Sequence, residues 1–172
     1  MRMPRDLRRA AASVLLVAAI AFAAWSGSSW LSAPRASEQA TVRDQALRAG
    51  EQAVLNFNTL DYRHVASGLK LWEQSSTGPL RRQIVAGRTA FEQQVLQAKT
   101  VTSARVLDAA LTSLNSSSGR AVIIVALQIT VTPARGSAVT KQSRLTGTLT
   151  RTPSGWKLST LSQVPVGAAG PS

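Results

Sequence analysis

The chain has 172 residues, no cysteine, one histidine and a formal net charge of +12. Without thiolates there are no disulfides and no lipoprotein processing, and a lone histidine argues against zinc or any other soft-metal centre. About 138 residues follow position 34, enough for one ordinary domain that buries its own core.

Residues 1–9, MRMPRDLRR, are a basic cap with Arg2, Arg5, Arg8 and Arg9 against Asp6. Ala10 to Trp25 then carry no charge. At about 1.5 Å per residue that stretch spans roughly 24 Å, short of a hydrocarbon core of roughly 30 Å. Continuing through the mildly polar Ser26 to Ser29 as far as Trp30 and Leu31 closes the gap, so a transmembrane helix is expected over 10–31. Four residues would then mark the membrane interfaces: Trp25 and Trp30 on the outer side, Arg8 and Arg9 snorkelling on the inner. The arginine excess keeps the N-terminus in the cytoplasm, which makes this a single-pass protein of the cell membrane with its C-terminal domain exported. A cleaved signal peptide, with a site at Ala24-Trp25-Ser26, is the alternative. Pro34 and Arg35 end the apolar segment, and 32–39 reads as a linker.

The exported domain is expected over 40–166. From Ala40 to Leu60 the apolar positions Val42, Ala46, Ala49, Ala53, Phe57 and Leu60 recur at spacings of three and four, one face of a helix. Asp44 and Arg48 have the spacing of an i,i+4 pair on the other side, and Gly50 suggests a point of close packing. A second helix is expected from Asp61, a suitable N-cap, to Gln74, with Val65, Leu69 and Trp72 facing inward. Ser75 to Pro79 breaks it. A third runs from Pro79, in its first turn, to about Lys99, with Leu80, Ile84, Phe91 and Val95 inward. Each amphipathic helix needs another surface to cover its stripe.

After residue 100 Thr, Val, Ser and Leu dominate, with turn residues at strand spacing. Strands are expected over Val101 to Leu114, Ala121 to Thr132, Val139 to Arg151 and Trp156 to Val164, with Gly147 marking a bulge or bend. Three helices followed by hairpin-linked strands make an α+β fold: helices packed on a curved antiparallel sheet of about four strands. Residues 167–172 form a small-residue tail.

This order of elements resembles the nuclear-transport-factor-2-like fold, a half-open cone. Asn58-Thr59-Leu60-Asp61-Tyr62, Ser76-Thr77-Gly78-Pro79-Leu80, Gly155-Trp156-Lys157-Leu158 and Val164-Pro165-Val166, placed behind a basic start and one span, are similar to the Mce-associated membrane proteins of actinobacteria. The resemblance runs from about residue 5 to 167. It implies a non-catalytic accessory subunit of an Mce-type system, an envelope transporter that imports lipids or sterols, with transporter subunits as partners and no cofactor. The scaffold proteins of type IV secretion resemble it in plan, an anchor followed by a domain.

Candidate chemistry is sparse. Asp61 and His64, three residues apart, are the one acid–base pair suited to an enzyme of this fold. A capping aspartate beside a surface histidine explains the same residues without catalysis. No carboxylate pair has metal-site spacing, and no G-x-S-x-G elbow surrounds a serine. Phe57, Trp72, Phe91 and Trp156 come from four segments; together they would form either an ordinary core or the lining of a lipid-binding pocket. Residues 99–172 hold eight basic side chains against Asp108 alone. Among them Arg135, Lys141, Arg144, Arg151 and Lys157 are candidates for a basic interaction surface facing a partner subunit or headgroups. Sparse aromatics among these basic residues, and the export of the domain, argue against nucleic acid.

Overall fold

A computed structural model describes residues 37–164. The expected span over 10–31, its interface residues Arg8, Arg9, Trp25 and Trp30, and the tail 167–172 lie outside the described residues. Among those described, no helix is long and apolar enough to cross a membrane. The chain divides into two compact units, Met1–Thr41 and Val42–Ser172.

Helix α1 is described over residues 37–57. It stops short of Leu60 because Asn58 caps it, the side-chain amide donating to the Val54 carbonyl at 2.8 Å. Leu60 and Asp61 instead form a two-residue strand, β1, paired with Val101 and Thr102. Asp61 is therefore extended, and its carboxylate accepts the Arg63 N–H to cap a 3-10 turn over Tyr62–His64. The second helix, α2 (Val65–Ser75), begins only after that turn. Then α3 runs from Gly78 to Ala98 and ends on Lys99 in the left-handed conformation. Asp44 and Arg48 are exposed, and the expected ion pair does not form among the described residues.

Four long strands follow: β2 (Thr100–Asn115), β3 (Arg120–Pro133), β4 (Val139–Thr152) and β5 (Gly155–Gln163). With β1 at one edge they form a five-stranded antiparallel meander in the order β1-β2-β3-β4-β5, one strand more than expected. The sheet curves into a half-barrel, and its bulges show how. Across β2 and β3 the register shifts at Leu107 and again at Thr112. Each extra residue resets the alternation, so Val106, Ala109, Leu111 and Leu114 all stand opposite inward-facing residues of β3. Bulges of this kind raise the local twist and bend the strand.

The helices cover the concave face. Ala46, Ala53 and Val54 of α1 join Ile123, Val125, Leu127, Leu149 and Leu158 of the sheet in one buried cluster. Each buried Val, Leu or Ile side chain contributes roughly 1.5–3 kcal/mol. Gly50 lets α1 approach: a Cβ there would stand 2.6 Å from Ile123 Cδ1 and 3.0 Å from Leu149 Cδ1.

The bulge expected at Gly147 sits on the facing strand. Thr148 pairs with Thr160 and Leu149 with Leu158, which leaves Ser159 of β5 as the extra residue. Gly147 keeps regular pairing with β3; it is a glycine because a Cβ there would meet Leu158 Cδ2 at 2.6 Å. The breaker between α2 and α3 also docks on the sheet. Ser76 is fully buried and bridges Leu158 in parallel, with the Thr77 N–H donating to the Leu158 carbonyl at 2.8 Å.

Candidate functional site

Three aromatic rings from three helices meet above the sheet. Phe57 ends α1, Trp72 lies in α2 and Phe91 in α3. The Phe57 and Trp72 rings stack with centroids 5.3 Å apart at 23°, and Trp72 and Phe91 lie 5.2 Å apart at 44°. Such pairs add about 0.5–1.5 kcal/mol each beyond area burial. The Trp72 indole is oriented by its N–H, which donates to the Asn56 carbonyl at 2.7 Å. Asn56 in turn donates through its amide to Ser75 Oγ at 2.8 Å. The end of α1 is thereby tied to the end of α2.

Two cavities use these three rings as a common wall. One of about 410 Å³ lies over Leu60, Ile129 and Val131 and reaches Lys141 at its rim. The other, of about 390 Å³, lies between Leu69, Leu80, Ile84 and Leu161. Both fall within the roughly 300–1,000 Å³ usual for ligand pockets. They exist because α3 is incompletely packed. None of its residues is fully buried, while Val85 and Leu96 are 52% and 42% exposed. An Arg88–Glu73 ion pair fastens it to α2.

Of the four aromatics expected together, Trp156 stands apart. It lines neither cavity and belongs to the buried core with Ala46 and Leu158, at 8% exposure. Its indole N–H is buried without a hydrogen-bond partner. The β4–β5 hairpin explains the separation, since Trp156 faces Arg151 at the turn end of the strands.

The five basic residues do not share one surface. From Val139 to Thr150, β4 pairs with β3 without a shift, so residues directly opposite share a face. Lys141 stands opposite Ile129, on the concave side with Leu145 and Leu149. Arg144, opposite Ala126, is on the convex side, as is Lys157 opposite Thr150. Arg151 keeps concave parity at the exposed hairpin end, and Arg135 lies in the β3–β4 loop. The odd numbering that Lys141 shares with Leu145 was a legible sign that it faces inward.

Asp61 and His64 lie outside the cavities. His64 is 74% exposed, with Nδ1 3.7 Å from Asp61 Oδ2. The Asp61 carboxylate is claimed by Arg63, whose Nε and Nη2 donate to it at 3.0 and 2.8 Å. Those hydrogen bonds, together with the Arg63 backbone N–H, hold the Asp61 pKa down to about 2. A carboxylate so engaged is a weak base, and it lines neither of the two cavities. Among the described residues no group of acidic or histidine side chains has metal-site geometry.

The fold is found in several solved structures. An IcmL-like type IV secretion system protein from Legionella pneumophila is 13% identical; the match covers 73% of this chain and 94% of that one, with a TM-score of 0.59. The periplasmic domain of DotI is 19% identical over 70% of this chain and 93% of its own, at 0.55. CagV, a VirB8 homologue from Helicobacter pylori, is 12% identical over 69% and 95%, at 0.53. At these identities the likeness is one of fold. No curated protein matches the chain. The model of the family described as "Uncharacterized protein Rv1363c/MT1408-like" matches residues 7–165, and the chain belongs to that family.

Proposed function

We propose that this protein is a non-catalytic accessory subunit of a multi-protein membrane complex. One span over 10–31 holds it in the membrane, and its exported domain over 40–166 works through protein–protein contacts. Tethering raises the local concentration of such a domain, so modest contacts suffice. The observation that carries this reading is α3, a helix of 21 residues with no buried side chain and with Val85 and Leu96 exposed. The acid–base pair, held outside the cavities by Arg63, points the same way. Support by analogy comes from neighbours of the same fold described as a type IV secretion system protein and as periplasmic domains or fragments. The more specific assignment, an Mce-type lipid or sterol import system, rests on the motifs around Asn58–Tyr62, Ser76–Leu80, Gly155–Leu158 and Val164–Val166. Cross-linking in intact cells followed by purification of the full chain from membranes tests it: transporter subunits should be captured. Recovery of the chain alone, with lipid import unchanged in a deletion strain, refutes the assignment.

The two cavities favour a second reading, in which the domain binds a hydrophobic ligand between α3 and the sheet. Native mass spectrometry of the gently purified protein should then show a mass above that of the chain. Replacing Ala98, at the wall of the larger cavity, by tryptophan should remove it.

A further inference from the structure

The larger cavity differs chemically from its neighbour. Its apolar walls include Phe57, Trp72, Phe91, Ile129 and Val131; Asn58, Gln94, Thr100 and Thr102 add uncharged polar groups, and its one charged lining residue is Lys141. In the smaller cavity the corresponding cation, Arg88, is already paired with Glu73. Lys141 has no ion-pair partner among the described residues. Two more cations stand at the same end of the sheet. Lys99 terminates α3, and its carbonyl accepts the Ala134 N–H at 2.9 Å, one residue before Arg135; neither cation lines the cavity itself. The carboxylate at that end, Asp61, is taken by Arg63. The exposed apolar side chains Val139 and Leu96 lie on the strand and helix that frame the opening. A mainly apolar cavity with one unpaired cation in its lining is complementary to a molecule that is greasy at one end and negative at the other.

On the reading that the domain binds a hydrophobic ligand, we infer that the larger cavity takes a single-chain anionic amphiphile, its alkyl chain against the Phe57–Trp72–Phe91 wall and its head on Lys141. Size selects one chain. A volume of about 410 Å³ lies at the small end of the roughly 300–1,000 Å³ usual for ligand pockets, which favours one alkyl chain over two. The shared chemistry is an anionic oxygen head, either a free carboxylate or a phosphate. Lys141 discriminates the head, and the aromatic wall accepts any alkyl chain of fitting length.

The test uses the full chain in phosphatidylcholine nanodiscs, photolabelled with a diazirine-bearing dodecanoate and challenged with unlabelled competitors. Adducts should map to the stretch of α3 from Phe91 to Ala98 and to Ile129–Val131. The Ala98→Trp variant, altered at an exposed helix position, should lose them. Dodecanoate should compete about five- to tenfold better than dodecanol. Lys141→Gln should erase that preference without changing dodecanol. Dodecyl phosphate identifies the source: competition stronger than dodecanoate's assigns a phosphate head, weaker competition a free carboxylate, equal competition a site that takes either, and each supports the inference. Equal competition by dodecanol and dodecanoate in the native chain would overturn the head assignment while leaving the pocket intact. Failure of every competitor, or labelling unaffected by Ala98→Trp, would remove the pocket reading itself.

Discussion

Replacing Gly50 by alanine sets two effects of known size against each other. In a helix interior the change is worth about 0.8–1.0 kcal/mol in favour of alanine. Against it, the new methyl would stand 2.6 Å from Ile123 Cδ1 and 3.0 Å from Leu149 Cδ1, where carbon pairs are best placed at about 3.5–4.0 Å. Ile123 and Leu149 are both fully buried, so neither chain end can swing into solvent. Overpacking of that kind costs about 1–3 kcal/mol. The net expectation is a loss of about 0–2 kcal/mol for Gly50→Ala. Ile123→Val deletes the clashing atom itself and alone costs about 0.5–1.5 kcal/mol. In that background the alanine methyl fills the vacated space and the helix gain is realised. The double variant should therefore be about 1–2 kcal/mol more stable than the sum of the single changes predicts. Urea unfolding of residues 37–172, followed by far-UV circular dichroism and analysed by linear extrapolation, measures all four corners of the cycle. If the changes add to within about 0.5 kcal/mol, α1 does not cross the sheet at Gly50 as described.

Three further outcomes are expected. Leu149→Ala, in the middle of the buried cluster, should cost about 2.7–5 kcal/mol in the same unfolding assay. In Arg63→Ala the Asp61 carboxyl loses its hydrogen bonds and should rise from about 2 towards its ordinary value of 3.8, as read by an NMR pH titration. Because folding depresses this group, its contribution to stability is present above about pH 4 and is lost as the pH falls towards 2; the variant should lack that component. Glu73→Gln breaks the ion pair to Arg88, a partly exposed contact worth at most about 1 kcal/mol. It should speed amide exchange in α3 while leaving β3 protected.

Much of the element order was legible from periodicity. The strand expected over Ala121–Thr132 is found as Arg120–Pro133, and that expected over Val139–Arg151 as Val139–Thr152. Long runs of alternation bounded by Gly119, Pro133 and the Pro153–Gly155 turn are strong local signals, because side chains on a strand repeat every two residues. The junction at Leu60–His64 was not legible. A pattern of apolar residues every three or four positions continues across it, yet Leu60 and Asp61 pair with Val101 and Thr102, partners about 40 residues away.

The candidate site divides along the same line. Phe57, Trp72 and Phe91 lie on helical faces readable from spacing alone, and they do meet. Trp156 carries the same kind of signal and goes elsewhere, because hairpin register places it at the far end of the strands. Composition, charge and periodicity determined the class of the domain, the number of its helices, its long strands and the scarcity of catalytic groups. Those properties are set by neighbours within a few residues in the chain. Tertiary structure alone decided the bulges at Leu107, Thr112 and Ser159 and the loose seating of α3 that opens two cavities. Register and packing depend on distant strands and helices fitting one another, and no local pattern records that fit.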